Sequence, residues 1–426
     1  MKTKPAVVLI WWWLGLGLGP ALTAAAANSP LADRAEAVIV PGKGLPAAIL
    51  GAPIPSYRVL AEAGSGLAVI PMQIEERDAQ GIILVTQGPH PDRVDGRFDA
   101  ADELVFMARD AGSRPATTAV PGCAKTTLLT LTDLKTGAAG YVVLAQCANP
   151  PPLSPRDYVR LETAPYTAVT DRYRFGWHER QSFSYDYISI NGGPDTLDRL
   201  RVRATVGKWG IYYTFNEDHF HYTLRGYNDG PVRVSWKADN YWSLARLGKL
   251  DVPQYVFFYP EAVYLQNQLD LTMNPALVGL DFFIEIGHDL NVDPARGYRV
   301  CANVAPQCLP LDHPIPDGSL KEFTERNLVW GGVAGPEGAE IIRIIVDPRL
   351  HLMTKGLFTF DRNFSSPPEF IPGAMPRMSF YLVDWKGVKA EKYDLNFYHF
   401  FLNQYSLPEF ERHERLVTNP LAVSAQ

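Results

Sequence analysis

Three sets of residues have the types and spacing to do chemistry. His219-Phe220-His221 places two imidazoles two positions apart. On a strand such residues share a face, so both rings could reach one metal ion or one substrate, and Glu217 has the same parity. A zinc site needs at least a third ligand, and spacing identifies none. Two histidines on the solvent face of a strand is the plainer alternative. Arg225 could fork onto a sugar carboxylate while Tyr213, His219 or His221 abstracts a proton. Tyr213, His219, His221 and Arg225 are therefore the candidate catalytic set.

The second set is an acidic loop, Asp92-Arg93-Val94-Asp95-Gly96-Arg97-Phe98-Asp99-Ala100-Ala101-Asp102-Glu103. Hard cations such as Ca2+ take several oxygen ligands from a loop able to turn sharply. Asp92, Asp95, Asp99, Asp102 and Glu103 are the candidate metal ligands, and Ca2+ is the cofactor they would hold. The loop is not an EF-hand, because Pro91 and Arg93 occupy the positions of ligands when Gly96 is aligned to the turn. The competing reading is a solvated turn whose Asp side chains cap backbone amides. Asp289-Leu290-Asn291-Val292-Asp293 is a weaker run of the same kind, with Pro294 where an EF-hand has Gly.

The third set is aromatic. Tyr173, Phe175, Trp177, Trp209, Tyr212, Tyr213, Trp236, Tyr241 and Trp242 crowd one stretch, with Arg172, Arg174, Arg225 and Arg233 among them. Aromatic faces stack on sugar rings and arginines pair with carboxylates, which suits an acidic polysaccharide. Strand-core packing explains most of these aromatics equally well. There is no G-x-S-x-G, H-E-x-x-H or phosphate loop.

The elements that must position these groups are mostly strands. Short β-branched or aromatic segments separated by Gly, Pro or Asp turns appear at 82–86, 104–108, 126–132 and 140–145. More follow at 200–206, 210–215, 219–226, 231–236, 255–259, 280–286 and 341–346. Asn228-Asp229-Gly230 suits a hairpin turn, since these residues tolerate positive φ. The fold class expected is mainly β: a small N-terminal β-sandwich or barrel-like domain, then a large antiparallel β-sandwich. The cluster Pro150, Pro151, Pro152 and Pro155 separates them. This gives an N-terminal domain at 28–150, a large sandwich at 151–415 and a C-terminal tail at 416–426.

Residues 1–27 read as a cleaved signal peptide, with Lys2 and Lys4 ahead of an apolar stretch and alanines at 24–27. The glycines at 15, 17 and 19 argue against a spanning anchor. No transmembrane span is expected after cleavage, and the destination is periplasmic or secreted. The four cysteines fit export as two local disulfides, Cys123–Cys147 and Cys301–Cys308. A net charge of −6 without basic runs excludes nucleic acid as a partner. Scattered prolines and a polar C-terminus argue against an outer-membrane barrel.

Ile70-Pro71-Met72-Gln73-Ile74-Glu75-Glu76-Arg77-Asp78, with Asp102-Glu103-Leu104-Val105-Phe106, resembles the N-terminal β domain of uncharacterised exported bacterial proteins, some associated with polysaccharide breakdown. Gly230-Pro231-Val232-Arg233 is similar to a segment of large sandwiches of the galactose-mutarotase-like and polysaccharide-lyase type. The resemblance covers a few tens of residues and brings no catalytic set. The reading that follows is an exported envelope protein binding a polysaccharide or oligosaccharide. Whether it also cleaves its ligand as a lyase stays open, and a non-catalytic scaffold or assembly protein is the alternative.

Overall fold

A computed structural model describes residues 29–64, 66–178, 185–243, 249–271, 281–305, 307–311, 325–359 and 377–426. The signal-peptide expectation lies outside the described residues, as does Leu280 of one expected strand.

The first lobe contains β1 (Ala37–Pro41), β2 (Tyr57–Glu62), β3 (Leu67–Val69), β4 (Met72–Glu75), β5 (Glu103–Met107), β6 (Cys123–Thr132) and β7 (Ala139–Cys147). The first sheet has the order β1-β5-β4. It packs through Val38, Val40, Leu104 and Phe106 onto Val59, Leu129, Leu131 and Leu144 of the second. The alternating apolar residues of these strands thus meet across a sandwich.

The remaining strands are β8 (Arg160–Thr163), β9 (Tyr166–Val169), β10 (Tyr173–Gly176), β11 (Tyr187–Ile190), β12 (Leu197–Lys208), β13 (Ile211–Phe215), β14 (Phe220–Asp229), β15 (Val234–Ser243), β16 (Lys249–Asp251), β17 (Gln254–Phe258), β18 (Ala262–Asp270) and β19 (Asp281–Leu290). They continue with β20 (Arg299–Ala302), β21 (Leu309–Pro310), β22 (Trp330–Gly335), β23 (Gly338–Val346), β24 (Met353–Thr359), β25 (Arg377–Val383), β26 (Lys392–Leu402) and β27 (Ala422–Ala425). A ten-stranded sheet runs β14-β15-β16-β18-β26-β23-β22-β20-β21, with β17 pairing β15 and β18. Facing it are β11-β10-β9-β8 and β13-β12-β19-β25-β24. One continuous core, including Phe175, Trp236, Phe258, Leu265, Ile284, Phe380 and Phe397, fills the space between. The chain is mainly β, in antiparallel sheets, as expected.

Several expectations change in detail. Residues 82–86 make only an isolated bridge, Ile83 with Arg77. The segment read as a tail contains the end of a helix, α1 (Leu407–Thr418), and then β27. Ser406 caps α1 by accepting from the Glu409 amide, and Phe410 packs on Trp330 and Phe400 behind the large sheet. β27 pairs antiparallel with β6, so the second sheet of the first lobe runs β27-β6-β7-β2-β3. Its edge strand thus comes from the far end of the chain. Both disulfides form as paired in the sequence, Cys123–Cys147 across β6 and β7 and Cys301–Cys308 beside β20.

The two segments that carried the family resemblance dock onto each other. Gln73 Oε1 accepts from the amides of Val232 and Arg233. The Arg233 guanidinium pairs with Glu75 and Glu103, while Ser235 donates to Glu75 at 2.5 Å. The expected hairpin joins β14 to β15, but Asn228 and Asp229 end β14, and neither they nor Gly230 has positive φ. The missing side chain of Gly230 matters because a Cβ would sit 2.4 Å from Gln73 Oε1.

Candidate functional site: an exposed aromatic edge and a buried histidine pair

The expected pairing of His219 and His221 on one strand face does not occur. Glu217–His219 is a 3-10 turn, and β14 starts at Phe220. The backbone turns between the rings. His221 stacks on Tyr241 with ring centroids 4.5 Å apart. His219 Nδ1 lies 2.8 Å from Asn216 Oδ1, and its Nε2 lies 3.1 Å from the Tyr213 hydroxyl. Asn216 accepts only at Oδ1, so the imidazole proton belongs on Nδ1 and Nε2 accepts from Tyr213. Glu217 is buried and takes the Val202 amide at 3.0 Å. Arg225 sits at a register shift in β14 and faces Asp239 at 3.6 Å. The structure therefore unites Tyr213 with His219 and sends His221 and Arg225 to other partners.

The acidic loop is organised by backbone and guanidinium groups. Asp102 accepts from the amides of Arg77 and Asp99, Asp95 from Arg97, and Asp99 from Ala101. Asp92 takes the Val85 amide at 3.0 Å and Lys237 Nζ at 2.9 Å. Glu103 meets Arg77 and Arg233. Burial alone would raise the Glu103 carboxyl, but the two guanidinium groups hold it below the usual carboxylate range. Gly96 supplies the left-handed turn at φ 71°. Asp95, Asp99 and Asp102 thus accept from backbone amides.

Most of the expected aromatic face is core: Tyr173, Phe175, Trp177, Trp236 and Trp242 are buried. Trp177 stacks on Trp236 at 4.4 Å. The exception is the β12–β13 hairpin. Lys208 pairs with Ile211, leaving Trp209-Gly210 as a two-residue turn with φ 55° and 84°. Two successive positive φ values give a type I′ turn, where Asn-Gly is the ordinary choice. Here the first position is a tryptophan, 90% exposed. Ile211, Tyr212 and Tyr213 beside it are also exposed. Lys208 Nζ lies 5.1 Å from the Trp209 ring, and Tyr212 donates to Asp281 at 3.3 Å. An aromatic edge with a polar rim results.

A second site lies inside the sandwich. Among the described residues, His288, Glu340 and His399 are the group of three possible metal ligands, their ligand atoms within 4.8 Å of one another, and all three are buried. His288 comes from β19 of the smaller sheet, while Glu340 and His399 come from β23 and β26 of the large one. His399 Nδ1 is 2.7 Å from Glu340 Oε1, and His288 Nδ1 is 3.5 Å from Glu340 Oε2. The Tyr185 hydroxyl meets His288 Nε2 at 2.9 Å. Burial works against an ionised Glu340, yet the facing His288 and His399 hold its carboxyl at about 2. Burial lowers His399 despite Glu340 beside it, and raises Tyr185 well above its ordinary value. A cavity of about 70 Å³ adjoins the group, lined also by Asn240, Trp242, Gln254 and Asn267. The three ligands lie far apart in sequence. The signal available was a histidine inside an apolar strand, as in Phe397-Tyr398-His399-Phe400.

No protein-family model matches the chain, and no curated protein matches it in sequence. Among solved structures, the chain is similar to an alpha-mannosidase from Enterococcus faecalis V583, with TM-score 0.50 and 8% identity, over 92% of this chain and 44% of that one. It also aligns with a protein of glycosyl hydrolase family 38 from Enterococcus faecalis, at TM-score 0.49 and 8% identity, over 95% and 46% of the two chains. A Klebsiella pneumoniae subsp. pneumoniae protein assigned provisionally as an aldose 1-epimerase aligns at TM-score 0.30 and 9% identity, over 60% and 83%. The chain spans less than half the length of the two Enterococcus proteins. At these identities the likeness to the first is one of fold.

Proposed function

We propose that this is a carbohydrate-binding protein of the cell envelope, with the β12–β13 hairpin as the surface on which a glycan stacks. The observation that carries the reading is Trp209. A left-handed φ is costly for a residue with a Cβ, roughly 1–2 kcal/mol, and Asn or Gly would relieve it. Its ring gains little packing in return, being 90% exposed. An indole held in water by a strained turn suits a ligand's apolar face, and Lys208, Tyr213 and Asp281 can hydrogen-bond hydroxyl or carboxylate groups around it. The fold likeness to an alpha-mannosidase is in keeping with sugar chemistry. Two disulfides support a periplasmic or secreted location, and no helix among the described residues is long and apolar enough to cross a membrane.

The test is affinity electrophoresis through gels containing neutral and acidic polysaccharides. Wild-type protein should be retarded by at least one of them, and Trp209→Asn should bind about tenfold or more weakly. Trp209 is the exposed one of six described tryptophans, so binding should also quench or shift its fluorescence. Retardation that survives Trp209→Asn would refute the hairpin as the site. Envelope proteins captured by wild type but not by Trp209→Asn, with no glycan retarding either, would favour the scaffold reading.

A catalytic extension has one observation behind it, the Tyr213–His219–Asn216 chain of hydrogen bonds. With Nε2 of His219 as acceptor, Tyr213 could pass its proton to the imidazole and, as phenolate, take the proton beside a uronate carboxylate, whose electron pair forms the double bond and expels the β-linked glycosidic oxygen, which the imidazolium then protonates. In that case Tyr213→Phe should abolish release of unsaturated uronate while retaining gel retardation. Absence of any such product from acidic polymers that the protein binds would rule the extension out.

A further inference from the structure

The exposed hairpin leaves the interior His–Glu–His group without a role. His288 Nδ1 is buried and has no hydrogen-bond partner, because 3.5 Å to Glu340 is too long for one. A buried nitrogen left so costs on the order of 1–3 kcal/mol. Trp242 Nε1 and Asn240 Oδ1 are also buried without partners, and both side chains line the cavity that adjoins the group. Trp242 is 2% and Asn240 4% exposed. One unpartnered donor and one unpartnered acceptor on the cavity wall call for a polar occupant. At roughly 10–15 Å³ per water, 70 Å³ admits several.

We propose that His288, Glu340 and His399 bind one divalent transition-metal ion between the two sheets, with its remaining coordination position open to the cavity. Two imidazoles and one carboxylate are borderline donors suited to zinc and its neighbours rather than to calcium. Ligand atoms about 2.1 Å from a tetrahedral ion stand roughly 3.4 Å apart. His288 Nδ1 stands 3.5 Å from Glu340 Oε2, close to that spacing, while His399 Nδ1, 2.7 Å from Oε1, must open by roughly 0.7 Å. Nδ1 ligation would partner the orphaned nitrogen of His288. It would also leave Nε2 as the donor to the Tyr185 hydroxyl, an outer contact that fixes ring orientation in metal sites. Three protein ligands beside a wet cavity leave room for a metal-bound water. Because one ligand comes from the smaller sheet and two from the larger, the ion would also pin the layers together.

The experiment is elemental analysis of full-length protein purified without a metal-affinity resin, followed by Zn2+ and Co2+ titration of the stripped protein. Expected are about one equivalent of metal per chain, visible ligand-field absorption on Co2+ loading, and a melting temperature raised by several degrees. Tyr185→Phe should keep the near-ultraviolet circular dichroism while weakening metal affinity roughly 10–100-fold. Glu340→Gln should lose the cobalt spectrum. Folded wild-type protein that is metal-free as isolated, and that shows neither cobalt bands nor a thermal shift even after refolding with excess ion, would overturn the proposal. So would undiminished affinity in a folded Tyr185→Phe together with a folded Glu340→Gln. If Glu340→Gln fails to fold, the wild-type titration and Tyr185→Phe still decide. Gel retardation by glycans is read separately, so either proposal can fail alone.

Discussion

Replacing Arg233 with Met should damage the protein more than any exposed substitution, and the size of the effect follows from the charges around it. Arg233 is 1% exposed and lies between Glu75 and Glu103, which are 3% and 6% exposed. It also donates to Tyr259 Oη at 2.9 Å and stacks over Phe257 at 4.5 Å. Two guanidinium groups, Arg233 and Arg77, face two carboxylates. Met can fill the apolar space against Phe257, but it leaves the buried Glu75 without its cation. Breaking a buried pair in this way costs about 3–5 kcal/mol, against the 5–15 kcal/mol that holds a typical domain together. Lys should fail nearly as badly, since one ammonium cannot span both carboxylates as a planar fork does. Neutralising Glu75 at the same time should recover part of the loss, so Arg233→Met with Glu75→Gln should cost less than the sum of the singles. Urea unfolding followed by fluorescence and circular dichroism would measure all of these. A loss below about 1 kcal/mol for Arg233→Met would refute the reasoning, because it would mean the carboxylates find water or protons at little cost.

Other expectations are as direct. Burial opposes an ionised Glu261, but His413, Arg109 and Arg412 together hold its carboxyl far below the ordinary 4.5. The unfolded chain therefore takes up protons first, and the stabilisation present above about pH 5 is lost as pH falls. The difference in melting temperature between wild type and Glu261→Gln should shrink steadily from pH 6 to pH 3; a constant difference would contradict the assignment. Removing Cys123–Cys147 should cost about 3.5 kcal/mol and removing Cys301–Cys308 about 2.5 kcal/mol in denaturant, since the longer loop loses more chain entropy when bridged. Gly230→Ala should destabilise by about 1–3 kcal/mol by pushing Gln73 from the two amides it serves. Ser406→Ala should cost about 1 kcal/mol through the lost cap, read by the same denaturant curves.

The strands were legible where alternation meets a core. Leu129 and Leu131 in β6, and Ile342 and Ile344 in β23, point into the cores of their sandwiches. The cysteine pairing was legible because each pair closes a local loop. Alternation misled where a polar face meets protein instead of water. Gln73 and Glu75 are polar residues alternating with Met72 and Ile74 in β4, yet both are buried against Arg233. The acidic loop shows the same ambiguity, since Asp residues that terminate turns and Asp residues that bind cations share a composition. Helix α1 carried its own sign, Ser406-Leu407-Pro408-Glu409, the S-x-x-E pattern of a capping box. The His–Glu–His group was out of reach, because the pairing of β19 with β12 and of β23 with β26 decides which side chains meet across the layers.

The strand at Ala422–Ala425 closes the first lobe from nearly three hundred positions away in sequence. Without it, β6 offers a row of unsatisfied amides and carbonyls, the kind of border that recruits strands from other chains. Leu128 exchanges both backbone hydrogen bonds with Gln426 across that seam. Cutting the polypeptide at the proline cluster would thus yield a sticky half-molecule, not an independent module. A synthetic peptide of the final residues should be the remedy that keeps such a fragment in solution.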